Sequence, residues 1–104
     1  MSIEREIRQV TLGRQIIDSY DGSLRSLGSV VNGMRSILDE FELASPEWIE
    51  TYRGHWWTLE QVYAVALDEG APNVPLDAVS AIDESLSSIG FMLDESAERL
   101  RRGE

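Results

Sequence analysis

The 19 carboxylates of Asp and Glu are the most abundant reactive groups in this sequence of 104 residues. Carboxylate oxygens suit Mg²⁺, and a helix presents two of them on one face when they are three residues apart. Glu47/Glu50 and Glu95/Glu98 have that spacing. Such pairs are compatible with a magnesium-dependent nucleotide hydrolase built from helices, in which the acids face inward.

The sequence does not complete this magnesium pattern. A Glu-x-x-Asp pair should follow farther along the chain, but Tyr63 is the third residue after Glu60, and Val65 is the third residue before Asp68. Two Glu-x-x-Glu spacings are expected by chance among 19 acids, and the chain has neither Lys nor a Gly-rich phosphate loop. We therefore expect no metal site and keep the hydrolase as a less favoured alternative.

His55 is the one other candidate for acid–base chemistry, and there is no Cys. A di-iron bundle site needs two Glu-x-x-His pairs, which a single His cannot supply. Helix neighbours such as Trp48, Leu59 and Val62 place His55 at the edge of an apolar stripe, where a packed His is the simpler interpretation. We expect no catalytic residue, no cofactor and no enzymatic activity.

Apolar residues recur at three- and four-residue steps along most of the chain, which is the period of amphipathic helices. The stripe of the second segment contains Leu24, Leu27, Val31, Met34, Leu38 and Phe41. That of the last segment contains Val79, Ile82, Leu86, Ile89, Leu93 and Leu100. We predict an all-α fold, an antiparallel four-helix bundle with helices at roughly 2–20, 23–43, 46–69 and 75–101, in a single helical domain covering 1–104.

Capping and turn residues separate these helices. Ser45-Pro46 places an N-cap before a Pro at the first helical position, and the segment 70–75 contains a Gly and two Pro. The segment 21–23 offers a turn and a cap, although one long kinked helix is an alternative there. Five Gly, at positions 13, 28, 33, 54 and 90, lie inside helical patterns. Each costs about 1 kcal/mol relative to Ala, so together they indicate close helix contacts or bends.

Negative charge is concentrated in the middle and late chain. Residues 36–98 contain 14 acids and one base, Arg53, a net of −13 within a total of −10. Such a field repels nucleic acid and anionic lipid and attracts a basic protein. No apolar run reaches the ~20 residues of a membrane span, and the N-terminus lacks the apolar block of a secretory signal. We expect a cytoplasmic protein whose partners include neither nucleic acid nor membrane.

Two aromatic residues fall on the polar sides of their helices. At 100° per residue, Trp57 lies about 100° from the apolar arc of the third helix, and Phe91 lies almost opposite that of the last helix. A large aromatic among acids is typical of a binding anchor, because it supplies affinity while the charges steer the partner. We predict that the partner-binding residues are Glu50, Trp57, Glu60, Asp68, Glu84, Phe91, Glu95 and Glu98.

The chain combines small size, acidity and a helical pattern with an aromatic-rich segment. The segment includes Pro46-Glu47-Trp48-Ile49-Glu50, Tyr52-Arg53-Gly54-His55-Trp56-Trp57 and Leu59-Glu60-Gln61-Val62-Tyr63. In these features the chain resembles the immunity proteins of bacterial toxin–immunity pairs, including those of contact-dependent growth inhibition and other polymorphic toxin systems. The resemblance implies a stoichiometric inhibitor that binds a cognate toxin, often a basic nuclease, in the cytoplasm of the producing cell.

Three alternatives share parts of this pattern. One is another acidic protein-binding regulator or a DNA mimic that blocks a nucleic-acid-binding protein, and of these the DNA mimic predicts acids spaced like phosphates. A homo-oligomeric structural bundle predicts that copies of the chain bury Trp57 and Phe91, and a homo-oligomer is compatible with the sequence. The magnesium-dependent hydrolase predicts nucleotide turnover and inward-facing acids.

Overall fold

Four α-helices form a bundle in the computed structural model, which describes residues 3–103. The helices are α1 (Ile3–Asp18), α2 (Leu24–Leu38), α3 (Pro46–Asp68) and α4 (Val79–Arg101), with one 3-10 turn, Leu76–Ala78, before α4. Each helix packs on its neighbours in sequence, and α4 packs on α1. The bundle measures 46 × 23 × 20 Å. The all-α four-helix prediction is confirmed.

Side-chain contacts show that α2 and α3 run in opposite directions. Tyr52 of α3 bonds Met34 of α2, while Trp56, one turn later in α3, bonds Val31, which is earlier in α2. The largest fully buried side chains are Tyr52, Leu27, Met34, Leu59, Ile82, Ile89, Leu93 and Val30. Among the helices described over residues 3–103, none combines the length and apolarity needed to cross a membrane.

Helices α1 and α2 are separate, so the alternative of one kinked helix is wrong. Helix α1 ends at Asp18, and Gly22, with φ +91° in the left-handed region, turns the chain before α2. Ser23 then caps α2, because its hydroxyl accepts the Ser26 backbone N–H at 3.0 Å. Ser45 caps α3 in the same way, accepting the Trp48 N–H at 3.2 Å, as its position before Pro46 predicts.

The predicted end of α2 at residue 43 is wrong, because α2 ends at Leu38. The acids at positions 39, 40 and 42 oppose the negative end of the helix dipole, and the chain turns away there. Phe41 nevertheless reaches the interior, packing edge-on to Trp48 with ring centroids 5.1 Å apart. Its helical spacing therefore identified a core contact but not a helical residue.

Other predicted bounds need smaller corrections. Helix α1 ends at Asp18 and not at residue 20, and its predicted start at residue 2 lies outside the described residues. Helix α3 ends at Asp68, one residue early, and the α-helical part of the last segment begins at Val79 and not at residue 75. Ile3 and Val79, both assigned to apolar stripes, are 48% and 41% exposed because each stands in the first turn of its helix.

Four of the five helical glycines lie at close helix contacts, as their cost predicts. A Cβ on Gly28 would lie 2.6 Å from the Tyr63 ring. The side chains facing the other three are Leu93 at Gly13, Ile16 at Gly33 and Arg14 at Gly90. At Gly54, by contrast, an added Cβ would meet nothing within 4 Å.

Candidate functional site: the outer surfaces of α3 and α4

Trp57 lies on the outside of α3, at the rim of the groove between α3 and α2. Its side chain is 52% exposed. The neighbouring Trp56, with its ring centroid 6.4 Å away, turns into the seam and donates its indole N–H to the Val31 carbonyl at 2.8 Å. One indole therefore fixes α3 against α2, and the other is left accessible to solvent. The predicted polar-side position of Trp57 is confirmed.

The groove beside Trp57 has mixed charge. Arg35 of α2 and Asp39, the residue that follows α2, line it together with Arg53 and Glu60 of α3. The helical wheel of α3 identifies its own two charges, but Arg35 and Asp39 lie outside α3 and were missed. No short-range signal could have found them, because only the packing of α2 on α3 brings these charges to Trp57.

Phe91 projects from the outside of α4 and is 67% exposed. The opposite side of α4 is in the core, where Ile82, Ile89 and Leu93 are fully buried. Ser87 and Glu95, one turn to either side of Phe91, are exposed as well. The prediction that Phe91 faces away from the core is confirmed.

Arginines of the last turn lie beside the acids of this α4 surface. Glu95 pairs with Arg99 at 3.8 Å, and Glu98 pairs with Arg102 at 3.7 Å. All four side chains are about half exposed or more, and exposed pairs at this spacing are weak. Glu95 therefore remains able to exchange Arg99 for a cation of a partner.

The eight predicted binding residues form two surfaces and not one pocket. Seven of them are exposed, and Glu60 is half-buried. Trp57 and Glu60 share the α2–α3 groove, whereas Glu84 lines the groove between α3 and α4, and Glu98 lines that between α1 and α4. We call the two sets the α3 surface (Glu50, Trp57, Glu60, Asp68) and the α4 surface (Glu84, Phe91, Glu95, Glu98).

The residues with catalytic or metal-binding spacing do not assemble into a site. His55 is half-buried in the α3–α4 groove near Asp83 and Ser88, but within residues 3–103 no hydrogen bond links it to a serine or a carboxylate. Both Glu-x-x-Glu pairs are exposed, whereas the hydrolase alternative needs inward acids. No cluster of three or more potential metal ligands occurs in the described part of the chain.

A buried carboxylate was missed by the sequence analysis. Glu6 is 4% exposed, and it accepts the backbone N–H groups of Glu42 at 3.1 Å and Leu43 at 2.7 Å. Those donors compensate for the loss of water around the charge. The signal was present, since Glu6 precedes Val10 by four residues and Gly13 by seven, which is the spacing of the buried face of α1.

Arg5 reinforces the same loop from the outside. Its guanidinium pairs with Glu40 and Glu42, each at 2.6 Å, and the hydrogen bond to Glu42 is the main reason why the pKa of Arg5 is raised. The first turn of α1 therefore holds the loop that leads into α3. This position makes Glu6 and Arg5 structural residues that help to orient the α3 surface.

Comparisons with protein-family models, with curated proteins and with solved structures each found no match to this chain. We therefore assign its structural class from its own fold and surfaces. It is an all-α four-helix bundle that carries one exposed aromatic residue on the α3 surface and one on the α4 surface.

Proposed function

We propose that this chain is an immunity protein, which binds a cognate basic toxin and neutralises it through the α3 and α4 surfaces. The observation that carries the proposal is the exposure of Trp57 (52%) and Phe91 (67%) on a chain of net charge −10. Neither side chain is needed to fill the core. Exposed Trp and Phe next to charged residues are suited to anchor a protein partner.

The charge of the chain supports a basic partner. A nuclease must be positive where it binds phosphate, so an acidic helical surface can cover that site or lie beside it and block access. A nuclease is therefore the toxin class we favour. A cation from the partner that stacks on Trp57 or Phe91 would add a cation–π contact.

The two surfaces differ in the role they can have. The α4 surface combines Phe91 with three acids, two of which make weak exposed pairs with arginines. Such charges mainly speed the encounter with a basic protein. The α3 surface places an indole beside charges of both signs, which favours one orientation of the partner over others.

Co-expression with the protein encoded next to this chain tests the proposal. We expect that protein to be basic and to stop growth when expressed alone, and we expect the two chains to restore growth and purify as a 1:1 complex. Trp57→Ala should then weaken the complex by at least about tenfold, or 1.4 kcal/mol, because it removes a central aromatic contact. Calorimetry on the purified proteins measures this change.

Gln61→Ala is the matched control, since Gln61 is an exposed residue one turn after Trp57 on the same helix. It should leave the affinity within about threefold of wild type, as expected for a peripheral contact. Unchanged affinity for Trp57→Ala would show that the anchor assignment is wrong. A neighbouring protein that is harmless alone, or that does not bind this chain, would contradict the immunity function itself.

A further inference from the structure

Gly54 is a glycine that the fold of this chain does not require. It lies in the interior of α3, it is exposed, and an added Cβ would meet nothing within 4 Å. The helical glycines at positions 13, 28, 33 and 90 each face a side chain of another helix. Since Gly is less favourable than Ala inside a helix, Gly54 weakens α3 without improving any packing within the chain.

The position of Gly54 connects it with the α3 surface. It precedes Trp57 by three residues, so the two share one side of the helix. The missing side chain leaves bare backbone beside an indole that is 52% exposed. Backbone without a side chain lets another main chain approach closely, which no larger residue would permit.

Charges of both signs lie along this part of α3, and Arg53 and Glu60 line the groove at Trp57. Glu50 and Glu60 are acidic, and Arg53 between them is basic. A partner surface with two cations on either side of a carboxylate complements this order.

We infer that the main chain of the basic partner approaches α3 closely at Gly54, with Trp57 packed against the partner beside that contact. This inference rests on the proposed function and assigns the two surfaces different tasks. The α3 surface makes the close main-chain contact that selects the partner, and the acids of the α4 surface mainly speed the encounter.

Gly54→Ala separates folding from binding, because the two effects have opposite signs. We expect its Tm to rise by about 4 °C, since Ala favours the helix and, among residues 3–103 outside the adjoining helix backbone, nothing lies within 4 Å of the added methyl group. Its affinity for the co-purified neighbouring protein should fall at least about tenfold, since the methyl group would keep the two backbones apart. Thermal unfolding and calorimetry measure the two quantities.

Ser29→Ala is the matched control, because Ser29 is an exposed helical residue of α2 and the change also favours the helix. It should raise Tm slightly and leave affinity unchanged. A Gly54→Ala chain that binds as wild type does, while Trp57→Ala binds weakly, would overturn the close approach and leave the proposed function standing. A lower Tm for Gly54→Ala would also overturn it, and failure of the wild-type chain to bind would overturn both.

Discussion

Glu6 of α1 accepts the backbone N–H of Leu43 at 2.7 Å, although 37 residues separate them in sequence. The Glu6 carboxylate also accepts the N–H of Glu42, so one buried charge serves two backbone donors of the loop before α3. Hydrogen bonds to a charged group are stronger than those between neutral groups. This contact therefore ties the end of α2 to the first turn of α1.

Glu6→Gln should lower the free energy of unfolding by about 2 kcal/mol, because the amide is uncharged and has only one acceptor oxygen for these donors. Urea unfolding followed by circular dichroism measures the loss. Glu4→Gln provides the control, since Glu4 is an exposed acid in the same helical turn. Equal losses in the two variants would show that the loop does not depend on the buried carboxylate.

Gly28→Ala should destabilise the bundle. Its Cβ would lie 2.6 Å from the Tyr63 ring, so α2 and α3 must separate or the ring must move outward. Overpacking of this kind costs about 1–3 kcal/mol, and the better helix propensity of Ala returns about 1 kcal/mol. We expect a net loss of about 1 kcal/mol in urea unfolding. Stability equal to wild type or higher would mean that the α2–α3 contact has room to adjust.

Features that depend on nearby residues could be predicted from the sequence. The stripes of apolar residues gave the four helices, and Ser45 before Pro46 identified the start of α3. The wheel positions of Trp57 and Phe91 predicted that both aromatics are exposed. Their role in binding a partner stays a prediction.

Features that depend on distant residues could not be predicted in the same way. The loop between α2 and α3 is held by Glu6 of α1, which is 36 residues away from Glu42. Arg35 lies in the groove at Trp57. The apolar period of α2 limits the rotation of that helix about its axis only to a broad arc, so it does not predict this position. Helix existence is therefore a local property here, whereas loop contacts and groove charges are set by packing.

Asp21 should have a pKa of about 2, below its ordinary value of 3.8. The main cause is the hydrogen bond from the Ser23 hydroxyl, followed by that from Ser26 and the backbone N–H of Ser23. Because the folded-state pKa is lowered, the stability that Asp21 contributes is present above pH 3.8 and is lost as the pH falls through about 2. A carboxyl NMR titration measures this pKa directly.

Substitution of Ser23 tests the cause of this shift. Ser23→Ala should raise the pKa of Asp21 toward its ordinary value, and Ser23→Thr should keep it low because the hydroxyl is retained. If Ser23→Ala leaves the pKa near 2, the hydroxyl is not the source of the shift.

Tyr52→Phe should lower the free energy of unfolding by about 1 kcal/mol near neutral pH. The buried phenol donates to the Met34 carbonyl at 2.9 Å, and Phe keeps the ring contacts while losing this bond. Urea unfolding measures the difference. A variant as stable as wild type would show that this hydrogen bond is no more favourable than the hydrogen bonds that the phenol makes to water in the unfolded chain.

The same tyrosine predicts a loss of stability in alkali. Burial raises the pKa of Tyr52 above its ordinary value of 10.0. A raised folded-state pKa means that the stabilisation is complete below about pH 10 and is lost as the pH rises beyond it. We expect the wild-type chain to lose more stability than Tyr52→Phe above that pH, as measured by urea unfolding. Parallel losses in both chains would assign the alkaline effect to other groups.

Glu95 and Arg99 provide a matched pair of charge changes for the α4 surface. They are ion-paired and about half exposed, so either can be neutralised with little effect on the core. Glu95→Gln changes the net charge from −10 to −9, and Arg99→Gln changes it from −10 to −11. Charges at the rim of a protein interface mainly alter the association rate. Glu95→Gln should therefore slow association with the basic partner, and Arg99→Gln should speed it.

Stopped-flow measurements at low and high salt test this assignment. At high salt both changes in the association rate should become smaller, because salt screens exposed charges. Neither variant should alter the dissociation rate, whereas Trp57→Ala should raise it. If Glu95→Gln instead speeds dissociation at every salt concentration, Glu95 makes a direct contact in the complex. The α4 surface would then bind the partner as well as attract it.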